Sequence, residues 1–191
     1  MNTLIRGLLV IVFFAVASGP ARADDYTDTI SLFKNAGRSG AFFPKTYGYA
    51  VFPTIGKGGF IVGAAHGNGR VYAQGKYIGD TSMTQVSVGF QAGGQAYSEI
   101  IFFEDKRTLD EFTSGNFEFS ADASAVAITA GASASAGTTG TTGSASGGQK
   151  DAATSGSYYK GTAVFTIAKG GLMYQATIGG QKFSYKAVGG S

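Results

Sequence analysis

Residues 50–60 read "AVFPTIGKGGF", and residues 163–172 read "AVFTIAKGGL". With Pro53 deleted, the two stretches align at nearly every position. β-Branched and aromatic residues that run into Lys-Gly-Gly are the chemistry of a strand entering a tight turn. Two copies suggest a repeated unit of strand, turn and strand. Each copy alone leaves sheet edges unpaired. A closed or half-closed antiparallel barrel-like sheet buries both, and Lys57 and Lys169 are then expected to share a rim. Convergence on good turn chemistry is the alternative, since glycine turns recur in β-rich chains.

The residues around these copies extend the β reading. "FIVGAAH" and "RVYAQG" flank Gly67-Asn68-Gly69, and an Asn-Gly pair is a hairpin cue. "MTQVSVGFQAGG" alternates, with Val86, Val88, Phe90 and Ala92 on one face and Gln85, Ser87, Gly89 and Gln91 on the other. "QAYSEIIFFE" is apolar on both faces after Tyr97, as in a strand covered on both sides. "NFEFSADASAVAIT", "SYYKGTAVFTIA", "GLMYQATIG" and "QKFSYKAV" are further strand-like runs, the last two joined at "GGQ".

Two segments have helical character. In residues 24–39, Asp24 or Asp25 can cap, Tyr26, Ile30 and Phe33 fall on one face, and Gly37 stops the pattern. This helix is expected to close the end of the barrel, with Lys34 and Arg38 near its C-terminus, where the dipole favours cations. In "EDKRTLDEFTSG", Asp105 can cap, Leu109 and Phe112 share a face, and Gly115 ends the helix. The fold class expected is mainly β (α+β), with one or two short helices.

Residues 1–23 have the layout of a secretory signal peptide. Arg6 precedes the apolar run "GLLVIVFFAVAS", and "ARA" offers an A-x-A cleavage site. The apolar run is shorter than the roughly 20 residues that a spanning helix needs. The expected mature chain, residues 24–191, is one domain with no transmembrane segment, and the protein is periplasmic or secreted. Losing Arg6 and Arg22 leaves thirteen basic against twelve acidic residues, a net of +1. That near-neutrality excludes the broad basic footprint of a nucleic-acid binder. There is no cysteine, so the core alone holds the fold. Residues 131–157 are Gly/Ser/Thr-rich with only Lys150 and Asp151 charged, and a mobile loop is expected there.

No complete catalytic constellation is spelled. His66 is the single histidine and is expected beside a hairpin turn. With no cysteine, one histidine does not make an ordinary zinc site. No G-x-S-x-G elbow is present. "GKGG" and "GNGR" miss the spacings of phosphate-binding and dinucleotide-binding loops. A non-enzyme without metal or cofactor is expected.

The order of elements resembles the SYLF domain over most of residues 43–180. The carrying pieces are Phe-Pro before a KGGF turn, the G-x-Q-x-G-x-Q strand at Gly89, Gln91, Gly93 and Gln95, a helix leading to a G-x-F strand, Ala121–Ser124 as A-D-A-S, and a final G-L strand. The resemblance implies a lipid-binding module, and for exported bacterial members binding to phospholipid. The phosphoinositide and actin ligands of eukaryotic members do not carry over to an envelope protein. Combined with the repeat, it implies an anionic phospholipid or membrane surface met by Lys57 and Lys169, supported by Lys34, Arg38 and Arg70. A structural or adhesive envelope protein is the alternative.

Overall fold

A computed structural model describes residues 22–59, 62–88, 95–121, 123, 125–128, 158–169 and 178–189. Residues 1–21 of the expected signal peptide, the 131–157 loop and residues 171–177 of the "GLMYQATIG" run lie outside these residues. Helices α1 (Ala23–Asn35) and α2 (Gly37–Gly40) come first. Strands β1 (Gly48–Gly59), β2 (Val62–Ala73), β3 (Lys76–Val88) and β4 (Gln95–Phe103) follow, then α3 (Lys106–Thr113). Strands β5 (Phe117–Glu118), β6 (Val126–Ile128), β7 (Thr162–Lys169) and β8 (Lys182–Ala187) complete the described elements.

One sheet contains these strands in the order β5-β8-β3-β2-β1-β4-β7-β6. Every pairing is antiparallel except β6 on β7. Its two edge strands are joined by the short run from Glu118 to Val126. Laid flat, eight strands at about 4.8 Å put the edges roughly 34 Å apart. Eight extended steps reach at most about 28 Å. The sheet therefore curls, and the fold is a half-barrel whose concave side is met by Phe119, Ala123 and Ala125 of that run.

Each face has its own core. The concave side buries Phe52, Ile55, Met83, Tyr97, Ile101, Phe103, Ile178 and Phe183 under Leu109 and Phe112 of α3 and Phe119 of the crossing run. Phe183 sits 5.1–6.0 Å, centroid to centroid, from Phe52, Phe112, Phe117 and Phe119. The convex side buries Val51, Ile100, Phe102 and Phe165 under Tyr26 and Phe33 of α1 and Phe42. Strand β4 is thus covered on both faces, as its sequence implies. The apolar face expected for the first helix is the one it buries, but the helix covers the convex face rather than a barrel end. It breaks at Ala36, and α2 follows. The second helix forms as read, with Asp105 Oδ1 accepting from the Thr108 amide at 2.8 Å.

The two copies lie on either side of β4, and Pro53 is the difference between them. Val51 stands opposite Ile100 of β4, with Phe165 of β7 on the other side; Phe52 stands opposite Glu99 and Thr166. The register therefore sets Phe52 against Thr166 rather than against Phe165. The same letters consequently face opposite ways: Phe52 and Ile55 point into the concave core, and Phe165 and Ile167 into the convex one. The β1 register shifts across Pro53 on both of its neighbours. Proline cannot donate to a ladder, and a bulge accommodates it.

Three local expectations are corrected. Gly67-Asn68-Gly69 is not a hairpin; β2 runs straight through it, and the turn falls at Gln74 and Gly75, both with positive φ. The two glycines serve packing instead. A Cβ on Gly67 would sit 2.6 Å from Ile55 Cγ1, and one on Gly69 would sit 2.6 Å from the Phe52 ring. "GKGG" is not a turn at Lys57 either, because β1 continues to Gly59. Finally, "NFEFSADASAVAIT" is not one strand: β5 and β6 lie at opposite edges of the sheet.

Candidate lipid-facing end of the sheet

Strand ends at Gly59, Val62, Val88, Gln95 and Lys169 gather at one end of the half-barrel. The connecting residues 60–61, 89–94 and 170–177 lie outside the described set; in sequence they include Phe60, Ile61, Phe90, Leu172 and Met173. On the convex face α1 covers Val51 and Phe102 but does not reach this end. Val62 is 58% exposed and Val86 is 72% exposed, beside exposed Ala64 and His66. Ala64 is the register partner of Val86, which makes Val62 its diagonal neighbour.

The alternation read in β3 is present with its polarity inverted: Val86 faces out, while Gln85 is 5% exposed and donates through Nε2 to the Gly179 carbonyl at 2.9 Å. His66 lies inside β2, paired with Gly56 and Thr84, and not beside a turn.

The structure brings Lys57 and Lys169 to the same end but not to the same face. Lys57 pairs with Ala65 and Gln95, on the concave side with Ile55. It is half-buried, and burial lowers its pKa. Lys169 is exposed on the convex side and donates from Nζ to Thr54 Oγ1 at 2.8 Å. The shared rim therefore fails for a reason of register: on β4 the two copies are one residue out of step, on both sides of Pro53.

The other three cations lie elsewhere. Lys34 sits 5.3 Å from the Phe43 ring, and Arg38 is exposed on α2. Arg70 is engaged in the fold. Its guanidinium lies 4.3 Å from the Tyr26 ring and 5.1 Å from the Tyr77 ring, with Asp80 Oδ1 3.9 Å away. It clamps α1 onto β2 and β3.

A buried polar cluster on the concave side escaped the sequence reading. Glu99 is 0% exposed, and its Oε2 accepts from Gln181 Nε2 at 3.1 Å. Gln181 Nε2 also reaches the Tyr97 hydroxyl at 3.3 Å. Thr166, the register partner of Glu99, is buried as well. Burial pushes the Glu99 carboxyl up to about 7 and raises the Tyr97 phenol. Glu99 interrupts "YSEIIFF", and a glutamate inside an otherwise apolar strand was the available signal.

Among the described residues, no group of three or more His, Cys, Asp and Glu side chains is placed to hold a metal ion. No described helix is long and apolar enough to cross a membrane.

The comparisons agree with the architecture. The family described as Ysc84, Las17-binding protein actin regulator, matches residues 84–186. That is more than half of the chain, and the protein belongs to this family, whose module is the SYLF domain resembled by the sequence. It is also similar to Beta cell expansion factor A of Aeromonas veronii, at 29% identity over 159 residues covering 82% of this chain. The match spans 52% of that relative, so the chain corresponds to about half of its length.

Proposed function

We propose that this chain is an exported, non-catalytic protein that binds an anionic phospholipid surface with the uncovered convex end of its sheet. The observation that carries this reading is the pair Val62 and Val86, exposed as diagonal neighbours on the convex face at the end of the sheet where β7 also ends at Lys169. Adjacent exposed valines on a regular sheet are unusual without a partner surface. Exposed apolar side chains with an exposed cation on the same face suit a bilayer interface, where the side chains enter the acyl boundary and the ammonium meets lipid phosphate. The concave interior is occupied by Phe52, Phe119 and Phe183, which favours contact with a membrane surface over extraction of one lipid. The leader-like residues 1–23 support export.

The five cations then have unequal roles. Lys169 is the outer contact. Lys57 is held on the inner face, and Arg70 is a structural clamp. Lys34 and Arg38 lie on the helical segment and add charge on the convex side.

Co-sedimentation with vesicles of phosphatidylglycerol and phosphatidylcholine, against phosphatidylcholine alone, tests the reading. Binding is expected to the anionic vesicles and to weaken with salt. Lys169→Ala should weaken it about fivefold, since one cation near an anionic surface contributes about 1 kcal/mol. Lys57→Ala should change it less. Absence of binding to both vesicle types would overturn the proposal and favour the structural or adhesive alternative.

A further inference from the structure

Glu99 plays no part in the lipid-facing end, yet it occupies a position where a charge has consequences. Gln181, its one hydrogen-bonding partner among the described residues, holds the closure of the concave side together. The Gln181 amide donates to the Ile178 carbonyl, and its carbonyl accepts from the Phe119 amide, both at 3.0 Å. Gly180 N donates to the Phe119 carbonyl at 3.0 Å. Gly179 is packed so closely on the crossing run that a Cβ there would lie 2.7 Å from the Ala121 carbonyl oxygen. Residues 178–181 and 117–121 thus form one backbone-bonded closure, and the Gln181 side chain ties it to Tyr97 and Glu99 of β4.

The cluster leaves buried oxygens without partners, and the Thr166 hydroxyl among them carries a hydrogen of its own. Glu99 Oε1, Gln181 Oε1 and Thr166 Oγ1 are buried without a partner among the described residues. Both hydrogens of Gln181 Nε2 are spent, on Glu99 Oε2 and on Tyr97. A proton on Glu99 converts one of these acceptors into a donor. Ionised Glu99 would instead be a buried anion.

Among the described residues, the groups around it come from every element packed against β4. Tyr97 is on its own strand, Phe52 on β1, Thr166 on β7, Gln181 before β8, Phe119 on the crossing run, and Phe183 and Tyr185 on β8. The cation on this face is Lys57, which stands opposite Gln95, four residues along β4 from Glu99, and whose own burial disfavours its charge. Neither residue is shifted by the other's charge.

We propose that Glu99 is a protonation switch for the half-barrel: neutral, it lies buried beneath the 117–121 and 178–181 closure, and ionised, it is a buried anion that loosens the closure to reach water. The carboxyl titrates near 7, against an ordinary value of 4.5. The closure is therefore firm in mild acid and weak in mild alkali.

Hydrogen–deuterium exchange of the full chain at pH 5.5 and 8.5, corrected for intrinsic rates, tests this. Peptides covering 117–121 and 178–187 should show at least a tenfold larger opening equilibrium at pH 8.5. Peptides of α1 and the β1–β2 pair should not change. Glu99→Gln, which keeps an acceptor for Gln181 and adds hydrogens, should abolish the difference and stay protected at both values. Equal protection of the wild-type closure at both pH values would overturn the proposal, as would the same pH dependence in the variant. If the variant does not fold, carbon-13 NMR titration of the wild-type carboxyl decides: a midpoint near 7 supports the switch, and one below 5 refutes it.

Discussion

Replacing Glu99 with glutamine removes one titrating proton from the middle of the sheet and changes little else in volume. The wild-type carboxyl has an ordinary value of 4.5 once the chain unfolds, and about 7 when folded, because burial disfavours its charge. A raised carboxyl means that the folded state holds its proton more tightly. The stability linked to that proton is full below about 4.5, falls as pH rises, and is lost above about 7. The gap at about 1.4 kcal/mol per pH unit amounts to about 3 kcal/mol. Glutamine carries no such slope. The variant should therefore match the wild type at pH 4.5 to within about 1 kcal/mol, the usual scale of one hydrogen bond. At pH 8.5 it should be more stable by about 3 kcal/mol, a rise in melting temperature of roughly 10 °C for a domain of this size. Calorimetry or circular-dichroism melts across pH 4.5–8.5 measure this. A melting-temperature difference between the two proteins that is the same at every pH would refute the reasoning, because it would show that Glu99 does not change its charge in that window.

Other perturbations have equally direct outcomes. Phe183→Ala removes the ring that touches Phe52, Phe112, Phe117 and Phe119 and should cost about 3–5 kcal/mol in denaturant unfolding. Gly69→Ala drives a methyl into the Phe52 ring and should destabilise by about 1–3 kcal/mol, and the combined change with Phe52→Ala should cost less than the sum of the two. Arg70→Ala should free α1 for limited proteolysis while the sheet persists, and Arg70→Lys should rescue it incompletely because an ammonium does not stack between Tyr26 and Tyr77 as a guanidinium does.

The repeat announced a sheet with two lysine-bearing strands in it, and the structure contains both, with β4 between them. It misled on facing. The two copies meet β4 one residue out of step, and with a side-chain period of two that inverts every face; the bulge at Pro53 absorbs its extra residue and leaves the offset the same on both sides. Nothing local to "AVFTIAKGG" tells which of its sides is inward. Gly67 and Gly69 were read as conformational glycines because their sequence neighbours resemble a turn; their actual cause, the Ile55 and Phe52 side chains on the next strand, is a tertiary contact. Strand β4 was legible because continuous apolarity has one meaning in a sheet covered on both sides. The 105–113 helix was legible because its cap and its apolar pair are local. Arg70 was counted as a lipid contact from charge alone, whereas its aromatic partners come from α1 and β3, distant in sequence. Glu99 was passed over because its partner, Gln181, lies 82 residues away.

The chain has no cysteine, so a single introduced thiol reports one position. Val86→Cys carrying an environment-sensitive fluorophore places the probe at the uncovered end, and Lys76→Cys places it beside the β2–β3 turn at the opposite end. On addition of vesicles containing phosphatidylglycerol, the probe at Val86 should shift to the blue and become shielded from an aqueous quencher, while the probe at Lys76 stays in water. Equal shifts at both positions, or a shift at Lys76 alone, would contradict lipid contact through this end of the sheet.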